Sequence, residues 1–515
     1  MEKAILKKEE CRVHKVRSIP WNHQVGFENM LNVGEKGSVK SIIVNQDSVI
    51  EASMLEKISS CDEELYKKYS NIIAVDKTLS RQLVSFQANK KKGYYRWYKY
   101  KEGFSSDLVE KCIRERIYSS KKLLDPFAGS GTALFAASEM GIDSVGIELV
   151  PIGQELIEAR NVLLNEFEAV DFNVIENWIK RKPWQKSKGS QDFNELKITA
   201  KAYPPETETQ IKKYLYCLRQ ENSKVQKVLM FALLCILESI SYTRKDGQYL
   251  RWDQRSGRRY GAIPFDKGKI SEFDKEIVLK LNEIISDSKG ETFLDLFSSI
   301  KKPIKPGSIE ILKGSCLDIL PTLKGSAFDL VITSPPYCNR YDYTRTYALE
   351  LAMLLVDETE LSKLRQAMLS CTVENRSKDL AAINPKWETA IKFANSNKLL
   401  QAIIEYLEYK KANKTINNNG IPRMVKGYFY EMACVIFELY RTLNKSGQVI
   451  MVNDNVKYAG ASVSVDLILS KIAEDIGFKI DNIAVLPNGK GNSSQQMGIH
   501  GREALRKCIY VWSKQ

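Results

Sequence analysis

Residues Lys122 to Thr132, Lys-Leu-Leu-Asp-Pro-Phe-Ala-Gly-Ser-Gly-Thr, constrain the fold more than any other stretch of this chain. A short apolar run enters a glycine-rich turn, and ALFAASEMG then reads as a helix that stops at Gly141. DSVGIEL, Asp143 to Leu149, is a second strand pattern ending on Glu148, and PIGQELIEARNVLL opens another helix. Strand, glycine turn, helix and strand with a terminal acid form the first half of a doubly wound α/β sheet. Glycines at such a turn let the backbone approach a ligand at the helix N-terminus.

The ligand is not a dinucleotide, because a GxGxxG fingerprint needs glycine where Leu134 stands. Asp125 at the strand end would repel a phosphate but suits a cation. That charge logic selects S-adenosyl-L-methionine, with its ammonium and sulfonium groups, over a nucleotide di- or triphosphate. Glu148 is placed to accept hydrogen bonds from two ribose hydroxyls.

The sheet pattern is interrupted after Asn161 and resumes at IEILKGSCLDIL, Ile309 to Leu320, with Asp318 beyond the strand. FDLVIT, beginning at Phe328, is a continuous apolar, β-branched run and hence a buried strand. It delivers Ser334-Pro335-Pro336-Tyr337, a stiff, donor-poor turn, to the strand end where open α/β sheets do chemistry. Further along, Phe429 to Leu443 reads as an amphipathic helix, GQVIMVND as a strand, and Ser464 to Ile476 as a helix closed by Gly477. FKIDNIAVLP and LRKCIYVW read as an antiparallel final pair.

Asp125-Pro-Phe127-Ala-Gly129-Ser-Gly131 and Ser334-Pro-Pro-Tyr337 together resemble the cofactor and catalytic motifs of the DNA amino-methyltransferases, which methylate the exocyclic nitrogen of cytosine or adenine. Phe104-Ser105-Ser106-Asp107-Leu108-Val109 is similar to the segment that closes over the methionine end in that family. The resemblance covers roughly 85 to 160 and 305 to 515. It implies a Rossmann-like class I methyltransferase sheet, parallel with a final antiparallel hairpin, carrying a large, mainly helical insertion. It implies cofactor contacts from Phe104, Ser105, Asp107, Asp125, Phe127, Ala128, Gly129, Ser130, Gly131, Thr132, Glu148, Leu149 and Asp318, the last on the adenine amino group. Ser334 Oγ and the Pro335 carbonyl would accept the two amino hydrogens of a flipped base, Pro336 stiffens the turn, and Tyr337 stacks on the base. Serine in the first position resembles the cytosine-N4 branch, with adenine-N6 as the alternative. Cys338 raises a further alternative, attack on C6 of cytosine for carbon-5 methylation. An RNA base methyltransferase and a non-catalytic nucleic-acid-binding protein are the remaining readings.

The chain carries 77 Lys+Arg against 63 Asp+Glu, a net charge of +14, which points to a polyanionic partner. Two segments concentrate that charge. FQANKKKGYYRWYKYK interleaves Lys90, Lys91, Lys92, Arg96, Lys99 and Lys101 with Tyr94, Tyr95, Trp97, Tyr98 and Tyr100, a pattern that can track phosphates and stack bases. Arg244, Lys245, Arg251, Arg255, Arg258 and Arg259 crowd a second segment, where arginine forks can read guanine or clamp phosphate. Arg340, beside the catalytic turn, and the polar Asn492, Ser493, Gln495, Gln496, Arg502 and Arg506 near the C-terminus are further candidates for the path of double-stranded DNA.

These readings divide the chain into 1–84, an N-terminal region; 85–162, with the cofactor site; 163–305, an inserted target-recognition region; 306–358 and 426–515, with the catalytic site; and 359–425, a helical insertion. Within 163–305, helices are expected over Glu206 to Arg219, Lys224 to Ile240 and about Asp274 to Ser286. Ser38 to Ile50 is expected to be a strand followed by a helix start. Ten scattered cysteines without a CxxC pair, and three histidines, argue against a metal site. No secretory signal follows MEKAILKKEECRVHKVR, and Val228 to Leu237 is too short to span a bilayer. The expectation is a reduced, cytoplasmic enzyme, with a separately encoded restriction endonuclease as a possible partner.

Overall fold

The structure, a computed structural model, describes residues 46–101, 103–115, 120–246, 249–258, 264–294, 305–487, 490–491 and 504–515. Leu55 to Gln515 form one compact unit around an eight-stranded sheet. Its strands are β1 (Ile73–Val75), β2 (Lys122–Asp125), β3 (Asp143–Glu148), β4 (Ile309–Lys313), β5 (Phe328–Thr333), β6 (Leu443–Asp454), β7 (Phe478–Val485) and β8 (Lys507–Lys514). Their spatial order is β1-β7-β8-β6-β5-β2-β3-β4. All neighbours are parallel except β8, which runs antiparallel between β6 and β7. This is a mostly parallel α/β sheet with the expected final antiparallel pair. β1 extends it at the edge, paired in parallel with β7 from Ile73 opposite Ile483 to Val75 opposite Val485.

The central strands are buried along almost their whole length, as a sheet covered on both faces requires. The helices that matter for the site are α1 (Ser106–Arg114), α2 (Thr132–Glu139), α3 (Pro151–Asn165), α4 (Pro205–Leu218), α5 (Ser223–Ile240), α6 (Phe273–Leu294), α7 (Ile421–Thr442) and α8 (Val465–Ile476). α4, α5 and α6 lie where helical periodicity places them. The helix Gln46–Tyr69 is longer than its sequence signal, and the strand expected before it lies outside the described residues.

Strand order reverses between β2 and its two neighbours: the chain continues through β3 and β4 on one side and returns to β5 on the other. Such a switch point opens a crevice at the strand C-termini. Leu124 of β2 pairs with Val331 of β5, so Asp125 and the Ser334 turn emerge side by side.

The inserted region does not stand apart. α5 packs on α3 and α6, and one continuous apolar cluster holds Trp97, Ile152, Leu156, Trp184, Tyr214, Phe231, Phe273 and Tyr347. Inside it Lys245, Glu350 and Tyr98 form a buried ion-paired knot. Tyr98 donates to Glu350 at 2.9 Å, and the Lys245 ammonium donates to the Tyr98 hydroxyl at 3.0 Å. Among the described residues no helix is long and apolar enough to cross a membrane, and no group of side chains is arranged to hold a metal.

Candidate active site

Asp125 is 1% exposed at the end of β2. Its Oδ1 accepts the Thr333 hydroxyl at 2.6 Å and the Phe127 N–H at 3.0 Å. Burial pushes its carboxyl up to about 7, against the opposing effect of those two donors. Glu148, buried at the end of β3, accepts N–H groups from Gly129 and Val150, each at 2.6 Å. Burial raises it to about 8, although these bonds favour its charged form. Two carboxyls that are costly to ionise alone make a site that gains from a cationic ligand.

The turn between them is built for close approach. Gly129 and Gly131 have φ of 56° and 77°, in the left-handed region. A Cβ on Gly131 would stand 2.8 Å from Ile157 and 3.0 Å from Phe135. Gly153 in the first turn of α3 completes the cradle, because a Cβ there would lie 2.5 Å from the Gly129 carbonyl oxygen and 2.8 Å from Glu148.

A cleft with an empty volume of about 590 Å³ joins this cradle to the second motif. Phe127, Glu148 and Leu149 line one end, Ser334 and Pro336 the other, and Tyr100 and Tyr343 the side. The Ser334 hydroxyl donates to the Tyr337 hydroxyl at 3.1 Å. The cleft fits S-adenosylmethionine: Glu148 offers a carboxyl at its wall, Phe127, Leu149 and Tyr100 offer apolar walls for a nucleoside, and Asp125 lies buried behind them at the end of β2.

The "DNA methylase" family model, N6_N4_Mtase, matches residues 51–159. Across 465 residues, 90% of this chain and 95% of the relative, the sequence is 53% identical to the Type II methyltransferase M.AvaI of Nostoc sp.. The same identity and coverage hold for M.AvaI of Anabaena variabilis. M.BsoBI of Geobacillus stearothermophilus, also a Type II methyltransferase, is 41% identical over 475 residues, covering 88% of this chain and 91% of that one. The chain is a DNA amino-methyltransferase. Its methyl donor is S-adenosylmethionine, and its relatives are Type II enzymes.

Several expected contacts fall elsewhere in the methyltransferase. Phe104 is buried in the core, and Ser105 caps α1 by accepting from Leu108 N–H while donating to the Leu83 carbonyl. Asp107 is exposed and ion-paired with Lys92 at 3.1 Å. None of the three lines the cleft; Tyr100, whose ring packs against Gly129, takes that wall instead. Asp318 is exposed, and the corresponding cleft wall is Ser315, Cys316 and Ala367 to Leu369. Ala128 is buried beneath the turn, while Ser130 and Thr132 face a smaller depression beside Arg160. The Arg160 guanidinium is held between the rings of Tyr95 and Phe135, 4.3 and 4.2 Å from their centroids.

The basic aromatic segment is also reassigned. Tyr94, Tyr95, Trp97, Tyr98 and Tyr100 are all buried and form no exposed stacking surface, and Tyr100 instead faces the cleft. Arg96 pairs with Asp287 and Glu283 of α6, whereas Lys90 and Lys91 are exposed. In the second basic segment Lys245 is buried, and Arg255 is forked onto Asp253 at 2.7 and 2.9 Å. Arg258 stacks on Trp252 and bonds to the Lys197 and Ile198 carbonyls. Arg251 packs on Phe265 and pairs with Asp246 at 3.3 Å, but its side chain stays 44% exposed. Arg340 is partly exposed with φ 68° in the loop after the catalytic turn. Arg506 is bound to buried Asp466, and Arg259, Asn492, Ser493, Gln495, Gln496 and Arg502 lie outside the described residues.

The sequence reading missed Gly153, Tyr100 and the Ala367–Leu369 wall. Gly153 had a signal, a glycine opening the helix after Glu148. Tyr100 was masked by its cationic neighbours, and Ala367 to Leu369 have no local signature.

Proposed function

We propose that this enzyme transfers a methyl group to N4 of a flipped cytosine within a specific sequence of double-stranded DNA. The observation that carries the reading is the position of Ser334, in the same cleft as Glu148 and directly after the strand that neighbours Asp125. S-adenosylmethionine, when bound, supplies an electrophilic methyl group on sulfur. The chain's task is to make a poor nucleophile react. Ser334 Oγ and the Pro335 carbonyl accept the amino hydrogens, drawing the nitrogen lone pair out of conjugation and toward the methyl. The turn prolines hold those acceptors without competing N–H donors.

Carbon-5 chemistry is disfavoured by Cys338. It is fully buried, and burial drives its thiol far above the usual range, so a thiolate has no route to a base. Serine at the first motif position supports cytosine over adenine.

Incubation of duplex DNA with isotopically labelled S-adenosylmethionine, followed by nucleoside mass spectrometry, tests this. N4-methylcytosine is expected; N6-methyladenine or 5-methylcytosine would replace the reading, and label confined to RNA would overturn the substrate. Ser334→Ala should lower kcat by about a hundredfold while cofactor affinity holds. We also infer a separately encoded endonuclease as partner, consistent with the Type II names of the relatives. DNA premethylated by this enzyme should resist that nuclease, and cleavage at the unmodified rate would dismiss the pairing.

A further inference from the structure

The antiparallel course of β8 has a consequence at the catalytic turn. Because β8 runs against β6, its first residue lies at the C-terminal end of β6, on the sheet edge where Ser334 follows β5. The register places Lys507 directly opposite Asp454. Their side chains pair at 3.2 Å, with Lys507 only 18% exposed. From there the Lys507 ammonium reaches the Tyr337 hydroxyl at 3.4 Å and stands 5.3 Å from that ring's centroid. Tyr337, 3% exposed, receives on the same oxygen the proton of Ser334 at 3.1 Å.

We propose that Lys507 is a positioning residue for methyl transfer, acting through the Tyr337 hydroxyl on Ser334. An ammonium has donors and no acceptor, so its bond to Tyr337 uses the phenol oxygen as acceptor and pins the ring edge. The Ser334 proton, turned toward that same oxygen, leaves the serine lone pairs directed away from it and available for an amino N–H of the target base. Asp454 balances the lysine charge, so that the cation does not oppose the positive charge that develops on the attacked nitrogen. Tyr337, buried and not among the residues lining the cleft, thereby sets the orientation of the acceptor in its own motif.

The inference rests on Ser334 as the amino-group acceptor, and it holds for either target base. Its test is steady-state and single-turnover methylation by the full chain carrying Lys507→Met, Lys507→Arg, Tyr337→Phe and the Lys507→Met/Tyr337→Phe pair. Thermal melting and calorimetric binding of S-adenosylmethionine accompany each variant. Lys507→Met should lose at least tenfold in single-turnover rate, with cofactor affinity and KM for DNA within about twofold of the parent. Lys507→Arg should recover part of the rate. The double variant should be no slower than Tyr337→Phe alone, because the lysine acts through the hydroxyl already removed. Additive losses, an unchanged rate in Lys507→Met, or a defect confined to KM for DNA that grows with salt would overturn the proposal; the last would make Lys507 a phosphate contact. If Lys507→Met melts below the assay temperature, Tyr337→Phe carries the decision: it removes the hydroxyl through which the lysine acts, and a single-turnover rate equal to the parent's would overturn the proposal. Parent enzyme that methylates no amino nitrogen would instead defeat the functional reading beneath.

Discussion

Asp125 and Glu148 link the cofactor site to pH. Both carboxyls have folded values raised by burial, to about 7 and about 8, above the ordinary carboxylate range. Between those ranges the folded chain holds protons that the unfolded chain has released. Stability of the cofactor-free protein should therefore fall as pH rises from about 5 to about 8. Thermal melting across that window checks this, and Asp125→Asn and Glu148→Gln should each flatten the slope; a parent curve that rises instead would contradict the burial argument. A cationic ligand favours the ionised forms, so S-adenosylmethionine should bind more tightly toward the upper end of the window, with proton release seen by calorimetry in buffers of different ionisation enthalpy. At the same scale, Cys338→Ser should retain most of the methylation rate, since the thiol is fully buried and its backbone carbonyl is held by the Tyr458 hydroxyl at 2.6 Å.

At the scale of elements, the contact of α3 with the glycine turn is the most sensitive joint. Gly153→Ala must displace the Gly129 carbonyl or Glu148, and a loss of at least tenfold in cofactor affinity is expected by calorimetry, with about 1–3 kcal/mol of stability lost to overpacking. Unchanged binding would mean that the cradle is softer than its contacts imply. The strand β2, the turn and β3 were legible from sequence because each is a local pattern: an apolar run, glycines at required backbone angles, an acid at a strand end. The basic segments were misread for a related reason. Charge and aromaticity along a chain do not say which side chains meet partners, and α6, distant in sequence, supplies Asp287 to Arg96 and to the indole N–H of Trp97. Thr243–Asp246 and Tyr249–Trp252 form a two-stranded antiparallel hairpin that leaves Arg244 and Arg251 exposed opposite each other, so these are its cations expected to meet DNA. Arg251→Ala should reduce the salt slope of DNA affinity by about one, whereas Arg255→Ala should chiefly loosen the loop around Asp253 and lower the melting temperature. Equal slopes for the parent and Arg251→Ala would remove the hairpin from the interface.

For the whole molecule, the shared core is decisive. Removal of 163–305 would strip α4, α5 and α6 from Trp97, Ile152, Leu156 and Tyr347, exposing a large apolar face on the catalytic sheet. A chain so shortened should fail to give a cooperative melt, and a folded, cofactor-binding product would establish the insertion as an independent domain. Sequence by itself determined the motifs, the strands and helices that flank them and the cofactor's charge class, because those depend on residues within one turn or one strand. Only the tertiary structure decided which cations stay exposed, that Tyr100 and Ala367 to Leu369 wall the cleft, and that Lys507 meets Tyr337. Each of those depends on contacts between segments far apart in the chain, fixed by sheet order and by the burial of apolar faces rather than by any local pattern.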